Sequence, residues 1–324
     1  MKFAKLPAIA LALALLVALV SPAASSAVQS PASDNEAPRY SVELDLLRQQ
    51  LAASGATGVG LDRAEYITNR AGFEAATSQT LIANNRSHLI NSQFVENDPR
   101  RGGLSSISYV VDQSDGGALT ITPGGVVVLP NAATEPAIDQ SMATWDQVNC
   151  NGPDVVKVAD SGGNIDLVDN LVLGGAPGSP TADITHAGWL NPPFFNALAP
   201  GGASFILGVT FTFIFINPDG SPTDIDNNGF ADVAFREIYY NRGFGWGVNG
   251  LEPNVDVVSV ATHEAGHAFG LGHFGRVFLT KNGTTVEDIK YAPKAVMNAV
   301  YVSPFRELQG ADTSGFCSVW ANSH

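Results

Sequence analysis

The chain contains six histidines, and three of them fall in one short run, HEAGHAFGLGH, at residues 263–273. His263 and His267 are four positions apart, so on a helix they share one face about one turn from each other. Two imidazoles at that spacing can hold one Zn²⁺ at roughly 2.0–2.1 Å. Gly270 follows three residues later. A glycine can take the positive φ that stops a helix and turns the chain, which would bring His273 back as a third ligand. Three protein ligands leave one tetrahedral position open, as a catalytic zinc needs and a structural one does not. Glu264 points near that open position without being well placed to ligate. A carboxylate there can take a proton from the metal's water, whose pKa zinc lowers from 15.7 to about 7. It can then pass the proton to a leaving amine. The chemistry implied is metal-assisted hydrolysis. A zinc-containing binding or adhesion module without turnover is the alternative, and Glu264 weighs against it.

A second constellation is the run DIDNNGFAD at 224–232. Asp224, Asp226 and Asn228 put oxygen ligands at alternate positions, Gly229 allows a turn, and Asp232 follows, as in the first two-thirds of a calcium loop. Position 12 of an EF-hand would be Phe235, so an EF-hand is excluded. The alternative is an acidic turn between two strands. The two cysteines, Cys150 and Cys317, can form a disulfide in an oxidising compartment. Two buried free thiols are the other reading.

The elements that must position these groups are legible in part. Val42, Leu44, Leu46, Leu47 and Leu51 recur with a weak helical period, whereas residues 62–98 show no clean one. Ile107 to Val111 reads as a strand. A helix is expected over about 135–149, with Pro136 in its first turn and Ile138, Met142, Trp145 and Val148 toward the core. Strands are expected at 205–216, where Val209, Phe211, Phe213 and Phe215 alternate, and at 231–240. The metal motif sits on a helix, and a short helix near 311–321 ends the chain.

The N-terminus reads as a signal peptide over 1–27. Lys2 and Lys5 precede an apolar run from Leu6 to Val20, which is short for a membrane span, and small residues follow. The alternative is an uncleaved anchor. Residues 98–103, DPRRGG, suggest an exposed linker, so 28–103 is expected to be a pro-segment or N-terminal extension and 104–324 the catalytic domain. Residues 1–103 carry 9 acidic and 9 basic side chains, whereas 104–324 carry 22 acidic and 8 basic. That imbalance argues against nucleic acid or an anionic membrane as partner. The expected location is extracellular, or periplasmic. Oligomeric state is not legible.

The full motif HExxHxxGxxH resembles that of the metzincin zinc endopeptidases, and within them the chain is most similar to the matrixins. Met297, in Ala295-Val296-Met297-Asn298, resembles the methionine turn beneath the zinc in that clan. Tyr301 matches a tyrosine that helps wall the pocket for the residue after the cut. Asp312, Gly315 and Trp320 resemble the C-terminal helix. The resemblance implies an α+β fold in which a twisted mixed sheet packs on the active-site helix, with a small C-terminal subdomain. It implies protein or peptide substrates, lying extended between an edge strand and the wall near 299–302. By the same likeness, the strand at 231–240 would lie above the cleft. The chain departs from the family in three ways. Phe274 follows the third histidine, 24 positions separate His273 from Met297 and imply an inserted loop, and no cysteine lies before 104. If 28–103 blocks the metal, a carboxylate such as Asp98 or Glu96 must do so. A second, structural zinc is not expected, since His186 is the only other histidine between 104 and 263.

Overall fold

The computed structural model describes residues 41–53, 58–69, 79–85, 89–173, 178–282 and 285–320. The expected signal peptide lies outside them. Helix α1 (Ser41–Ala53) leads into strand β1 (Val59–Asn69), then β2 (Gln79–Asn85) and the short β3 (Ser92–Gln93). Strands β4 (Ile107–Val111), β5 (Ala118–Thr122) and β6 (Gly125–Leu129) precede α2 (Asn131–Asp146). Then come β7 (Val155–Lys157), α3 (Val168–Leu173), β8 (Ile184–Leu190), α4 (Pro192–Leu198), β9 (Ile206–Phe215) and β10 (Ala231–Asn241). Short β11 (Trp246–Gly247) and β12 (Val255–Asp256) lead to α5 (Val257–Ala268). A hairpin of β13 (Gly275–Asn282) and β14 (Thr285–Ala292), short β15 (Val300–Tyr301) and α6 (Gly310–Trp320) complete the order.

The fold is mixed α+β. Its central sheet has the order β15-β1-β9-β10-β8-β4-β7, with β3 also pairing to β10. Strands β10, β8, β4 and β7 pair in parallel, and β9 runs antiparallel to both β10 and β1. Helices cover both faces. On one side Trp145 of α2, Val260 and Ala265 of α5, and Phe316 and Trp320 of α6 pack on Ile107, Ile184 and Ile238. On the other, Leu47 and Leu51 of α1, Val168 of α3 and Phe194 and Phe195 of α4 pack on Val209, Phe211 and Tyr239. With both faces covered, the central strands are apolar nearly throughout, as burial on two sides requires.

Several expectations need correction. Helix α2 begins at Asn131, four residues earlier than its periodicity suggests, so Pro136 lies inside it. The carbonyl that Pro136 leaves without an N–H belongs to Ala132, which is exposed and open to water. The supposed linker at 98–103 is built into the structure. Asp98 is buried and caps a 3₁₀ turn over Pro99–Arg101. Arg100 bridges Asp98 and Asp232 at 2.7 and 2.6 Å, and Arg101 pairs with Asp183 at 2.8 Å. The boundary at 103 therefore marks no gap in packing, and α1 and β1 share their core with the rest of the chain. The insertion between His273 and Met297 is the β13–β14 hairpin, which also pairs with β2. The strand at 231–240 lies inside the sheet. β9, whose Thr210 contacts Glu264 of α5, lies between β10 and β1.

Candidate metal centre

Asp256 starts α5. Its side chain accepts from the Ser259 amide at 3.0 Å and satisfies one of the four free N–H groups of the first turn. Arg306 pairs with the same carboxylate. The helix stops where the glycine predicts. Gly270 has φ 95°, its amide bonds the His267 carbonyl at 2.9 Å, and the Leu271 amide bonds the Gly266 carbonyl at 3.0 Å. The chain then swings His273 back toward α5.

The three imidazoles converge. Nε2 of His263 lies 3.0 Å from Nε2 of His273, and Nε2 of His267 lies 3.1 Å from each of the other two. Nδ1 of His263 lies 2.7 Å from the Val296 carbonyl, and Nδ1 of His267 lies 2.7 Å from the Leu271 carbonyl. A carbonyl oxygen only accepts, so both Nδ1 atoms carry the proton and both Nε2 atoms present a lone pair. Lone pairs facing each other at this distance repel unless a cation lies between them. Ligands about 2.05 Å from a tetrahedral ion are about 3.3 Å apart, so the donor set fits zinc. The carbonyl partners also orient the rings, as outer contacts do at metal sites. Burial holds the His263 pKa down, to about 4, and lowers those of His267 and His273 well below the usual value. All three rings are therefore neutral near pH 7, as ligation requires.

Glu264 is fully buried. Its Oε1 accepts from the Ile67 amide at 3.1 Å and its Oε2 from the Thr210 hydroxyl at 2.6 Å. Burial, aided by the charge of Glu65, raises its pKa to about 8 against the lowering effect of those two donors. A nearby cation would pull it back down.

Met297 is fully buried under α5. Its turn is held by Asp312, whose carboxylate accepts from the Val296, Met297 and Gln309 amides at 2.9, 3.1 and 2.8 Å. That turn in turn presents the Val296 carbonyl to His263. Phe274 is buried, and its amide bonds the Met297 carbonyl at 3.2 Å. The Tyr301 hydroxyl accepts from the Asp256 amide at 3.1 Å, and the ring lines a small cavity with Ile67, Val296 and Val300. Three residues at the centre, Ile67, Thr210 and Glu65, carry no motif that sequence could expose.

The remaining expected sites are resolved in part. Cys150 and Cys317 are disulfide-bonded, joining the loop after α2 to α6. Asp224, Asp226 and Asp232 bring carboxylate oxygens within 4.8 Å of one another. Asp232 is buried, however, and Arg100 already supplies it with a cation, while the Asn228 side chain donates to Gln93 and Asp226. Asp98 is held by Arg100 and is not one of the groups gathered with the three histidines, which corrects the idea that it reaches the metal. His186 is a buried core residue with Nδ1 2.8 Å from the Tyr240 hydroxyl.

No protein-family description matches the chain, and no curated protein matches it. Among solved structures it is similar to the GM1-bound form of the ECX AB5 holotoxin, at 11% identity and a TM-score of 0.32, over 73% of this chain and 86% of that one. So loose a likeness carries no inference about activity.

Proposed function

We propose that the chain is a secreted zinc-dependent endopeptidase of the metzincin type, matrixin-like in its catalytic part. The observation that carries this reading is the meeting of three Nε2 atoms at 3.0–3.1 Å, two of them fixed as lone-pair donors, at the helix that also carries the buried Glu264. The Met297 turn beneath the centre and the antiparallel β9 beside it agree with the same reading. The disulfide suits an oxidising compartment.

His263, His267 and His273 would hold the ion. Bound zinc would supply a Lewis acid for the scissile carbonyl and a water of lowered pKa. Glu264 takes the proton from that water. It then passes the proton to the nitrogen of the leaving amine. Thr210 keeps the carboxylate oriented. The edge of β9 that β1 covers is the one an extended peptide would pair with, and β15 borders the opposite side of that position. Tyr301 and Val296 wall the pocket for the side chain after the cut.

The test is digestion of casein and of a peptide library by purified, zinc-loaded protein, with and without a chelator. Cleavage that the chelator abolishes is expected. Glu264→Ala is expected to lose about 10²- to 10⁴-fold in rate, the usual contribution of a general base and acid. A Glu264→Ala protein that cuts at the wild-type rate would sink the mechanism. A wild type that binds zinc but cuts nothing would favour the binding module.

A further inference from the structure

β1 lies where an extended peptide substrate would have to lie. It is antiparallel to β9 and parallel to β15, and so fills the space between the two strands that border the centre. Thr68 pairs with Val300 and Asn69 with Tyr301, and the Thr68 amide donates to the Ala299 carbonyl at 3.2 Å. Ile67 is only 4% exposed and lines the small cavity together with Val296, Val300 and Tyr301. Glu65 lies two residues earlier, with Oε2 3.8 Å from Nδ1 of His273. Tyr66, between them, turns to the other side of the sheet and meets Phe205.

The contact with Glu264 distinguishes this strand from ordinary sheet filling. A group that protonates a leaving amine must reach the nitrogen of the bond being cut. The Ile67 amide donates to Glu264 Oε1 at 3.1 Å, and that nitrogen belongs to the Tyr66–Ile67 bond. The residue on the amine side of the same bond, Ile67, borders the cavity beside Val296 and Tyr301.

We propose that the Tyr66–Ile67 bond is this centre's first substrate, hydrolysed within its own chain. The proposal rests on the peptidase reading above. The water oxygen bonds to the Tyr66 carbonyl carbon and the C–N bond breaks. Glu264 carries the water's proton to the Ile67 nitrogen. The second proton of the water follows to the same nitrogen as the new carboxyl group ionises, so the products are a carboxylate at Tyr66 and an ammonium at Ile67, and no other reactant is needed. Until the cut, β1 excludes other peptides from the groove. Afterwards residues 59–66 are held by their pairing with β9, by Leu61 in the core beside α1 and by the Ser92–Asp62 contact, no longer by the chain beyond Tyr66, and their release opens the groove.

The test uses the full chain with zinc, as wild type and as Glu264→Gln. Mass measurement and N-terminal sequencing of the wild type are expected to give a chain beginning at Ile67, formed at a rate independent of protein concentration. Glu264→Gln is expected to stay joined at that bond. Its hydrogen exchange needs no turnover: the Ile67 and Thr68 amides are expected to exchange as slowly as those of β10, with or without zinc. A wild type that cuts an added peptide yet stays joined between 66 and 67 would overturn the proposal and leave the peptidase reading standing. One that cuts neither would overturn both. A rate proportional to concentration would put the cut between molecules and overturn it, and rapid exchange at Ile67 would remove its geometric basis.

Discussion

Gly266 lies directly over Met297, so close that the two residues specify each other. A Cβ built on Gly266 would run into Met297 Sδ and come within 2.8 Å of Trp145 Cζ2. Both neighbours are fully buried, and the Trp145 indole is pinned by a 2.8 Å bond from Nε1 to the Thr262 carbonyl. The glycine inside the HEAGH run thus lets the helix settle onto the Met297 turn, between His263 and His267.

Gly266→Ala sets two effects against each other. Alanine favours a helix over glycine by about 1 kcal/mol. Overpacking a dense core costs about 1–3 kcal/mol. Met297 can shift only by moving the turn that holds His263, so the cost should win. Urea unfolding is expected to show a net loss of roughly 1–2 kcal/mol, with weaker zinc binding. Unchanged stability and unchanged affinity would mean that the turn has room that the packing does not suggest.

The disulfide spans 167 positions and ties the loop after α2 to α6, beside the Trp145, Phe316 and Trp320 rings. A closure of that length restricts the unfolded chain strongly. Replacing both cysteines, Cys150→Ala with Cys317→Ala, is expected to cost about 2–5 kcal/mol. α6 also carries Asp312, which anchors the methionine turn. Denaturant midpoints of the two proteins check the magnitude. A double variant as stable as the wild type would mean that the aromatic packing alone holds α6.

Arg100 compensates two carboxylates whose side chains are wholly buried, Asp98 and Asp232, and lies over the Phe215 ring at 4.0 Å. The pair lowers the pKa of Asp98 despite its burial. Arg100→Ala would strand both acids. Breaking a buried pair costs about 3–5 kcal/mol, and because the guanidinium is itself a quarter exposed, the lower end, about 3 kcal/mol, is expected. Thermal unfolding with and without calcium adds a second readout. If Asp224, Asp226 and Asp232 can bind the ion, calcium should restore more stability to Arg100→Ala than it gives the wild type.

The parts legible in sequence are those whose geometry is local. The histidine spacing, the Gly270 stop and the β9 alternation all lie within a turn or a strand, and the structure places them as expected. The parts that escaped depend on distant partners. Arg100 and Arg101 stand among Pro and Gly and read as solvent-facing, because Asp183 and Asp232 lie far along the chain. β1 hides its period behind a register shift between Leu61 and Arg63, and its residue Ile67 finds a role only when β9 and β15 close around the strand. The exchange of β9 and β10 is a matter of strand order, which no local pattern records.

His186 should make the fold acid-sensitive independently of the metal. It is completely buried, Nδ1 contacts the Tyr240 hydroxyl, and Nε2 finds no partner among the described residues. Burial, with a small contribution from Lys157, lowers its pKa from 6.5 to about 3. Between those two values the unfolded chain binds a proton that the folded chain does not. Stability from this group is therefore fully present above pH 6.5 and falls as pH drops toward 3, by about 1.4 kcal/mol per unit and about 4–5 kcal/mol over the whole window. His186→Asn keeps a polar partner for Tyr240 and removes the titration. His263, His267 and His273 remain in both proteins, so the difference between them isolates His186. Near pH 7 the variant is expected to be the less stable, by roughly 1–2 kcal/mol of altered packing. Toward about pH 4 that gap should close and then reverse, because only the wild type must exclude a proton from this position. Urea unfolding of the metal-free proteins at both pH values measures the gap, and a gap that stayed constant would show that His186 is not desolvated in the folded protein.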